Sequence, residues 1–160
     1  MSVDSKAFRD ALGRFGSGVT VVSVNSPEGV RGITVSAFSS VSMEPPTVLV
    51  CIGKKSRAHD LVLSTGTFGV SLLAEGQRPL SDRFAGRPDV VEEPVWRTEG
   101  WGTPVLDGAL AQLDCVVSQS VDAGDHTVCF GRVVRAESGE GTPLVYWRGR
   151  YRTLADASVG

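Results

Sequence analysis

Short apolar and β-branched runs, separated by turns rich in glycine and proline, recur along the whole chain and predict a mainly β domain. Strands are expected at residues 19–25, 30–35, 47–52, 68–73, 110–121 and 126–136, with a last strand or pair within 144–154. Because strands and helices do not alternate regularly, a doubly wound parallel sheet is not expected. An antiparallel barrel, closed or nearly closed, would satisfy the edges of this many strands.

Three short helices interrupt the strand pattern. Phe8, Ala11, Leu12 and Phe15 recur at helical spacing, and Asp4 or Ser5 can cap that first helix. Ser56 can cap a second helix, and residues 78–84 can form a third. Residues 87–108 are predicted to be a loop with at most brief strands, and residues 36–42 show little periodicity.

Length and charge limit the class of protein. A chain of 160 residues predicts one domain, residues 1–160, and a net charge of −2 does not indicate a nucleic-acid partner or a polybasic membrane contact. The first ten residues carry four charges and no apolar segment, so no secretory signal is expected. The three cysteines form no CxxC pair, which favours a cytoplasmic protein with free thiols.

Two segments are candidate binding elements. Residues 53–57 (GKKSR) join a strand end to a helix start, where free N–H groups, a hydroxyl and cations can hold a phosphate. A solvated basic loop fits the same residues equally well. Residues 34–42 (TVSAFSSVS) contain five hydroxyls and can border a planar ligand, although a hydrogen-bonded turn explains them too.

The two histidines differ in context. His126 follows Gly124 and Asp125 at a strand start, where an aspartate can orient it, or it is a turn residue bonded locally. His59 lies in the second predicted helix and is expected at the surface or in a cap. The two histidines and the cysteines predict no metal site.

Seven segments, in order, resemble the short-chain flavin reductases, the reductase components of two-component flavin monooxygenases. The segments are FRDALGRFGSGVTVV, GITVSAFSSVSMEPP, VLVCIGKKS, RFAG, LDGALAQLDC, GDHTVCFGRV and YWRGRYRTL, which span about residues 8–154. The resemblance implies a split β-barrel of Greek-key, antiparallel type with a few short helices. It also implies a homodimer in which a partner chain commonly completes the pocket.

The resemblance assigns site residues by position. An isoalloxazine wall is implied at Thr34, Val35, Ser36 and Ala37, with Ser40 and Ser42 as further members. The ribityl chain and phosphate are assigned to Cys51, Ile52, Gly53, Lys54, Ser56 and Arg57, with Phe84 and Ala85 closing the phosphate end. The nicotinamide side is assigned to His126, Tyr151, Phe15, Ser17 and Gly18.

The implied reaction is hydride transfer from NADH, or less favourably NADPH, to FAD or FMN. Reduced flavin would then pass to a flavin-dependent monooxygenase. His126 is expected to position the nicotinamide rather than to act as an obligatory base. Three other interpretations remain: an oxidase of the split-barrel type that acts on a pyridoxamine phosphate, a flavin-binding electron carrier without an NADH site, and a ligand-binding barrel that is not an enzyme.

Overall fold

The structure, a computed structural model, describes residues 2–87, 89 and 92–155 of the chain. The elements, in chain order, are α1 (Ser5–Leu12), β1 (Ser17–Gly18), β2 (Thr20–Ser26), β3 (Gly29–Val35), β4 (Phe38–Met43), β5 (Pro46–Gly53), α2 (Arg57–Thr65), β6 (Thr67–Leu72), a 3-10 turn (Glu75–Gln77), α3 (Arg78–Phe84), β7 (Trp96–Arg97), β8 (Val105–Leu106), β9 (Ala111–Ala123), β10 (His126–Ser138), β11 (Val145–Trp147) and β12 (Arg150–Arg152). Met1 and residues 156–160 of the predicted domain, and Pro88, Val90 and Val91 of the predicted loop, lie outside the described residues.

One seven-stranded antiparallel sheet dominates the fold, with the spatial order β3-β2-β6-β9-β10-β5-β4. Its inner faces meet in a single cluster of buried side chains, which includes Val22, Val35, Val50, Phe68 and Cys129 from five different strands. Strands so far apart in the sheet share one core only because the sheet curls on itself. The prediction of a mainly β, antiparallel barrel with a few short helices is confirmed.

The two end strands of that sheet are joined directly. Ser36 and Ala37 connect β3 to β4, and the Cys51 N–H of β5 donates to the Ala37 carbonyl at 3.0 Å. Strand β5 alternates as expected for a barrel wall: Val48, Val50 and Ile52 are buried, while Leu49 and Cys51 on the other face are half-buried. The outer face of β5 is therefore available next to the β3–β4 link.

Side-chain caps set where the helices begin. Asp4 caps α1, since its carboxylate accepts from the Ala7 N–H at 3.0 Å. Ser56 caps α2 as predicted, accepting from the Ala58 N–H at 3.1 Å, and Gly66 ends that helix in the left-handed region at φ 70°. None of the helices formed by the described residues is long and apolar enough to cross a bilayer.

Three features differ from the sequence-based expectations or extend them. Residues 36–42, which lack periodicity, contribute the edge strand β4, because an edge strand open to solvent needs no alternation. The predicted loop of 87–108 contains the β7–β8 pair, outside the main sheet. His59, expected at the surface, is buried with 8% of its area exposed because α2 turns it toward the barrel.

Candidate functional site

A groove of four adjoining cavities crosses the outer side of the barrel at the ends of β1 and β3. The first, about 480 Å³, is shared by the α2 start and the α3 end, and the second, about 140 Å³, adjoins it at Thr34 and Ala85. The third, about 330 Å³, meets the second at Val19 and Ser36. The fourth, about 480 Å³, shares Phe15 and Ser17 with the third. We refer to these four cavities together as the groove.

The first cavity has the features of an anion site. Ser56 and Arg57 line it at the first turn of α2, where backbone N–H groups point out of the helix. The preceding turn is closed by the Ser56 N–H, which donates to the Gly53 carbonyl at 2.9 Å. Lys54 of that turn pairs with Asp122, while Arg31 and Arg57 both line the cavity. Arg31 pairs with Glu28, and Arg57 is the cation at the helix start.

A glycine shapes the wall opposite that helix start. A Cβ on Gly32 would lie 2.7 Å from Cε1 of Phe84, so the Phe84 ring rests on bare backbone. Phe84 also contacts Trp96, with ring centroids 5.6 Å apart. The absence of a side chain at position 32 thus allows α3 to close the end of the cavity.

The second cavity is bordered by a buried polar cluster. The Tyr151 hydroxyl donates to Asp82 Oδ1 at 2.8 Å and lies 2.9 Å from Ser81 Oγ. The Asp82 carboxylate also pairs with Arg87 at 3.0 Å. Burial, together with the Asp82 carboxylate, raises the pKa of Tyr151 above its ordinary value even though the Ser81 hydrogen bond opposes the shift.

The third and fourth cavities are more apolar. Their linings combine Phe15, Phe38 and Leu49 with the small residues Ser36 and Ala37, which leave backbone accessible. Phe15 is 80% exposed, so one of its faces is open to whatever enters the groove. A planar ring fits such a surface better than a charged group does.

His126 stands at the hairpin end of β10. It pairs in register with Gly53, and Val128 pairs with Cys51, so His126 projects on the same face of the sheet as Cys51. Its Nδ1–H donates to Asp125 Oδ1 at 2.7 Å, and this hydrogen bond lowers the pKa of Asp125. Because strand neighbours i and i+2 are about 7 Å apart, His126 lies just beyond the groove rather than in its lining.

Most sequence-predicted site residues come together in the groove. Those that line it are Phe15, Ser17, Gly18, Thr34, Ser36, Ala37, Cys51, Ser56, Arg57, Phe84, Ala85 and Tyr151. Those placed elsewhere are Val35 and Ile52 in the core, Ser40 and Ser42 on β4, Gly53 at the end of β5, Lys54 in the turn before α2, and His126 beside Gly53. Tyr151 contacts Ser81 and Asp82, not His126.

Sequence reasoning missed Ser81, Asp82 and Arg87. Asp82 and Tyr151 are 69 positions apart, so no short-range sequence pattern predicts their hydrogen bond. The only available signal was the helical placement of Asp82 next to Arg83 and Phe84 in α3, the segment that the resemblance had singled out.

Comparisons with known proteins identify the family of this chain. Residues 12–155 match the family described as flavin reductase like domain. An NADH-dependent flavin reductase of Rhodococcus sp is 45% identical over 152 residues, covering 91% of this chain and 84% of the relative. The reductase component of 4-hydroxyphenylacetate 3-monooxygenase from Thermus thermophilus is 43% identical over 150 residues, covering 93% of this chain and 96% of the relative.

A solved structure is similar over almost its entire length. The NADH:FAD oxidoreductase SgcE6 of Streptomyces globisporus, in complex with NAD and FAD fragments, superposes with a TM-score of 0.88 at 35% identity, and 99% of each chain is covered. The fold and the groove define a flavin-dependent oxidoreductase of the split-barrel type. The chain belongs to the flavin reductase like family, and the expected NAD(P)H:flavin oxidoreductase activity is confirmed.

The groove residues fit a flavin. The capped α2 start and Arg57 suit a phosphate. Because Gly32 has no side chain, Phe84 can close the wall of the cavity beside the ribityl chain that adjoins this phosphate. The hydroxyl-bearing and small residues from Thr34 to Ala37 suit the polar edge of a ring, beside the apolar surface of Phe15 and Phe38.

Proposed function

We propose that this chain is an NADH-dependent flavin reductase that reduces FAD or FMN and releases the reduced flavin to a flavin-dependent monooxygenase. It works as one split-barrel domain over residues 1–160. The observation that carries the proposal is the continuity of the groove from a cationic, capped helix start to an apolar end. The Thermus thermophilus relative, named as a monooxygenase reductase component, supports the partner.

The flavin phosphate is held at the start of α2. Arg57 and the positive end of the α2 helix dipole supply positive charge at one point, while the Ala58 and His59 N–H groups are bonded to Ser56. The Ser56 hydroxyl already accepts from the Ala58 N–H, so its oxygen fixes the turn while its hydrogen remains available to a phosphate oxygen. Gly53 and Lys54 shape this turn, and Cys51 and Ile52 lead into it.

The isoalloxazine edge lies along residues 34–37. The Thr34 hydroxyl donates to the Ser81 carbonyl at 2.6 Å and is therefore committed to the protein. The backbone of Val35, Ser36 and Ala37 is left to face the ring, since the Val35 side chain is in the core. On β4, Ser39 lines the groove beside these residues, while Ser40 and Ser42 lie further along the strand, outside the four cavities.

NADH binds on the side of Phe15, Ser17 and Gly18. Phe15 offers an open aromatic face, and His126 projects on the groove face beyond Cys51, next to the bare backbone of Gly53. The Asp125 carboxylate accepts from Nδ1–H, so Nε2 of His126 is the atom turned to the ligand. Tyr151, held by Asp82, supports the groove floor.

The protein contributes orientation and exclusion of water. A bound flavin would supply the hydride acceptor for the nicotinamide, and this chain need supply no strong acid or base for that chemistry. Phe15 would orient the rings by stacking, and residues 34–37 by contacts to the ring edge, so that the rings reach a near-attack separation of about 3–3.5 Å. NADPH is the less favoured reductant, as the family resemblance implies.

The protein is a homodimer in the cytoplasm. Helix α1 has no buried residue, and Phe8 and Leu12 are 52% and 57% exposed beside Phe15. A second copy that covers this face would also wall the open side of the groove. The free thiols Cys51, Cys115 and Cys129 suit a reducing compartment.

The purified protein, NADH and added FMN or FAD provide the test, with absorbance of the reduced nicotinamide as the readout. Loss of NADH that requires added flavin supports a reductase for which flavin is a substrate. Tight flavin binding without NADH oxidation would instead indicate an electron carrier. Oxidation of pyridoxamine phosphate without nicotinamide would indicate the oxidase.

A further inference from the structure

A buried hydrogen bond joins α2 to β10. His59 Nε2 and Thr127 Oγ1 are 2.8 Å apart, and the two residues are only 8% and 6% exposed. The other ring nitrogen, Nδ1, is 2.7 Å from Asp60 Oδ1. Because a carboxylate only accepts, Nδ1 carries the hydrogen, and in the neutral ring Nε2 accepts from the Thr127 hydroxyl.

This bond connects the two ends of the proposed site. His59 lies in the first turn of α2, whose start carries Ser56 and Arg57. Thr127 follows His126 directly, and it pairs with Ile52 while His126 pairs with Gly53. The side chains of Thr127 and His126 therefore project from opposite faces of β10, so fixing Thr127 from inside the barrel fixes the direction of His126 outside it.

Two other links between the same segments are weaker anchors. The Lys54 N–H donates to the Asp125 carbonyl at 3.0 Å, which sets the spacing of the turn and the hairpin but not the orientation of a side chain. The ion pair of Lys54 and Asp122 is at the surface, since the Asp122 side chain is 79% exposed. Exposed ion pairs contribute little stabilisation and constrain their side chains weakly. A buried hydrogen bond whose partner would otherwise be left unsatisfied is a stronger constraint.

We propose that the His59–Thr127 hydrogen bond is a positioning contact that transmits the placement of the α2 start, where the flavin phosphate binds, to His126, where NADH binds. The inference rests on the proposed placement of these two ligands. His59 and Thr127 touch neither ligand; they act through His126. Loss of the bond leaves flavin binding intact and weakens nicotinamide binding.

Asp60, His59 and Thr127 are hydrogen-bonded in the same order as the acid, base and nucleophile of a catalytic triad, but Thr127 is not placed to act as a nucleophile. Thr127 lines none of the four groove cavities, and its side chain faces the barrel interior beside Ile52. A hydroxyl that no substrate reaches cannot attack one, so the cluster positions and does not catalyse.

A double-mutant cycle with Thr127→Val and His126→Ala tests the proposal. Affinity for NAD⁺ is measured calorimetrically on protein saturated with oxidised flavin, and flavin affinity is measured separately by quenching of flavin fluorescence. Thr127→Val should weaken NAD⁺ binding about 5- to 10-fold, the equivalent of one lost hydrogen bond. It should change flavin affinity less than about twofold, and in the His126→Ala background it should add nothing.

Conservative variants separate positioning from damage to the fold. Thr127→Ser keeps the hydroxyl and His59→Gln keeps a polar partner for it, so both should retain NAD⁺ affinity, whereas His59→Leu should reproduce Thr127→Val. Thermal unfolding followed by circular dichroism reports whether each variant folds. If Thr127→Val does not fold, the double-mutant cycle with His126→Ala is measured with His59→Leu instead, and His59→Gln is its control.

The outcomes distinguish the inference from the function on which it rests. If His126→Ala leaves NAD⁺ affinity unchanged, the proposed place of His126 is wrong and this inference falls with it. If His126→Ala weakens NAD⁺ binding and Thr127→Val weakens it further by the same factor in both backgrounds, the placement stands and the positioning role is overturned. Equal loss in Thr127→Ser and Thr127→Val also overturns it.

Discussion

The ring of Phe84 lies on the bare backbone of Gly32, so close that a Cβ on Gly32 would be 2.7 Å from ring carbon Cε1. This contact joins α3 to β3 at the end of the groove where Ser56 and Arg57 stand. The packing of two residues 52 positions apart in sequence therefore defines the width of the proposed phosphate end.

Gly32→Ala should displace Phe84 and disturb that end. We expect the free energy of unfolding to fall by about 1–3 kcal/mol, as for an overpacked contact, and flavin affinity to fall with it. Chemical denaturation and flavin fluorescence quenching measure the two effects. Gly76→Ala is the matched control because a Cβ there meets nothing within 4 Å. Unchanged flavin affinity in Gly32→Ala would remove Phe84 from the site.

Arg57→Gln should weaken the binding of flavins that carry a phosphate and leave the binding of riboflavin, which has none, unchanged. Removing one charge-assisted contact should raise the Kd for FMN about 10-fold or more. Comparison of FMN and riboflavin by fluorescence quenching isolates the phosphate contribution, with Arg132→Gln on β10 as the control. An equal loss for both flavins would place the phosphate elsewhere.

His126→Ala should raise the KM for NADH more than the KM for flavin. The side chain faces the groove beyond Cys51 and makes its hydrogen bond with Asp125, so its loss affects the nicotinamide end first. Initial rates with each substrate varied in turn provide the measurement. A catalytic efficiency for NADH equal to that of the parent protein would show that His126 lies outside the site.

Tyr151 should ionise only at a pH above the usual range for a phenol. Because burial and Asp82 raise its pKa in the folded state, the folded chain keeps this proton above pH 10 while the unfolded chain releases it. The stabilisation from this group is therefore complete below pH 10 and declines as the pH rises further. Ultraviolet titration should show a late phenolate step that Tyr151→Phe removes, and persistence of that step in the variant would contradict the assignment.

One thiol should react in the folded protein. Cys51 is half-buried and lines the fourth cavity, whereas Cys115 and Cys129 are fully buried, and burial together with Asp114 raises the pKa of Cys115 to about 12. Labelling with a thiol reagent should modify one cysteine before denaturation and three after it. Added FMN should slow the labelling of Cys51, and Cys51→Ser should abolish it. Labelling that flavin does not affect would separate Cys51 from the flavin site.

Local features of this fold could be predicted from sequence because their causes are local. The Ser56 cap depends on an N–H two residues away, and the β9–β10 hairpin depends on Gly124, which has a φ of 66°. The candidate groove residues could be predicted because seven segments resemble the family in the same order, and this order assigns positions that no single motif specifies.

Long-range contacts could not be predicted in the same way. The burial of His59 depends on which face of α2 meets β10, and its buried partner Thr127 is 68 positions away. The Asp82–Tyr151 hydrogen bond likewise depends on how α3 packs against a separate three-stranded sheet. Strand β4 was missed because pairing with β5 imposes the extended conformation, not any preference of its serines.

The β7–β8 pair adds no strand to the seven-stranded sheet, yet its Trp96 contacts the Phe84 ring at the end of the groove. Strand β8 is fixed to the barrel, because Val105 and Leu106 are fully buried and the Leu106 N–H donates to Ser71 Oγ, whereas Trp96 is half-buried at the end of the groove. Changes at Trp96 therefore alter what borders the far end of the bound ligand without breaking these contacts. Ligand preference can therefore change at this aromatic position, and an engineer who wishes to exchange one flavin for another should begin with Trp96 rather than with β8.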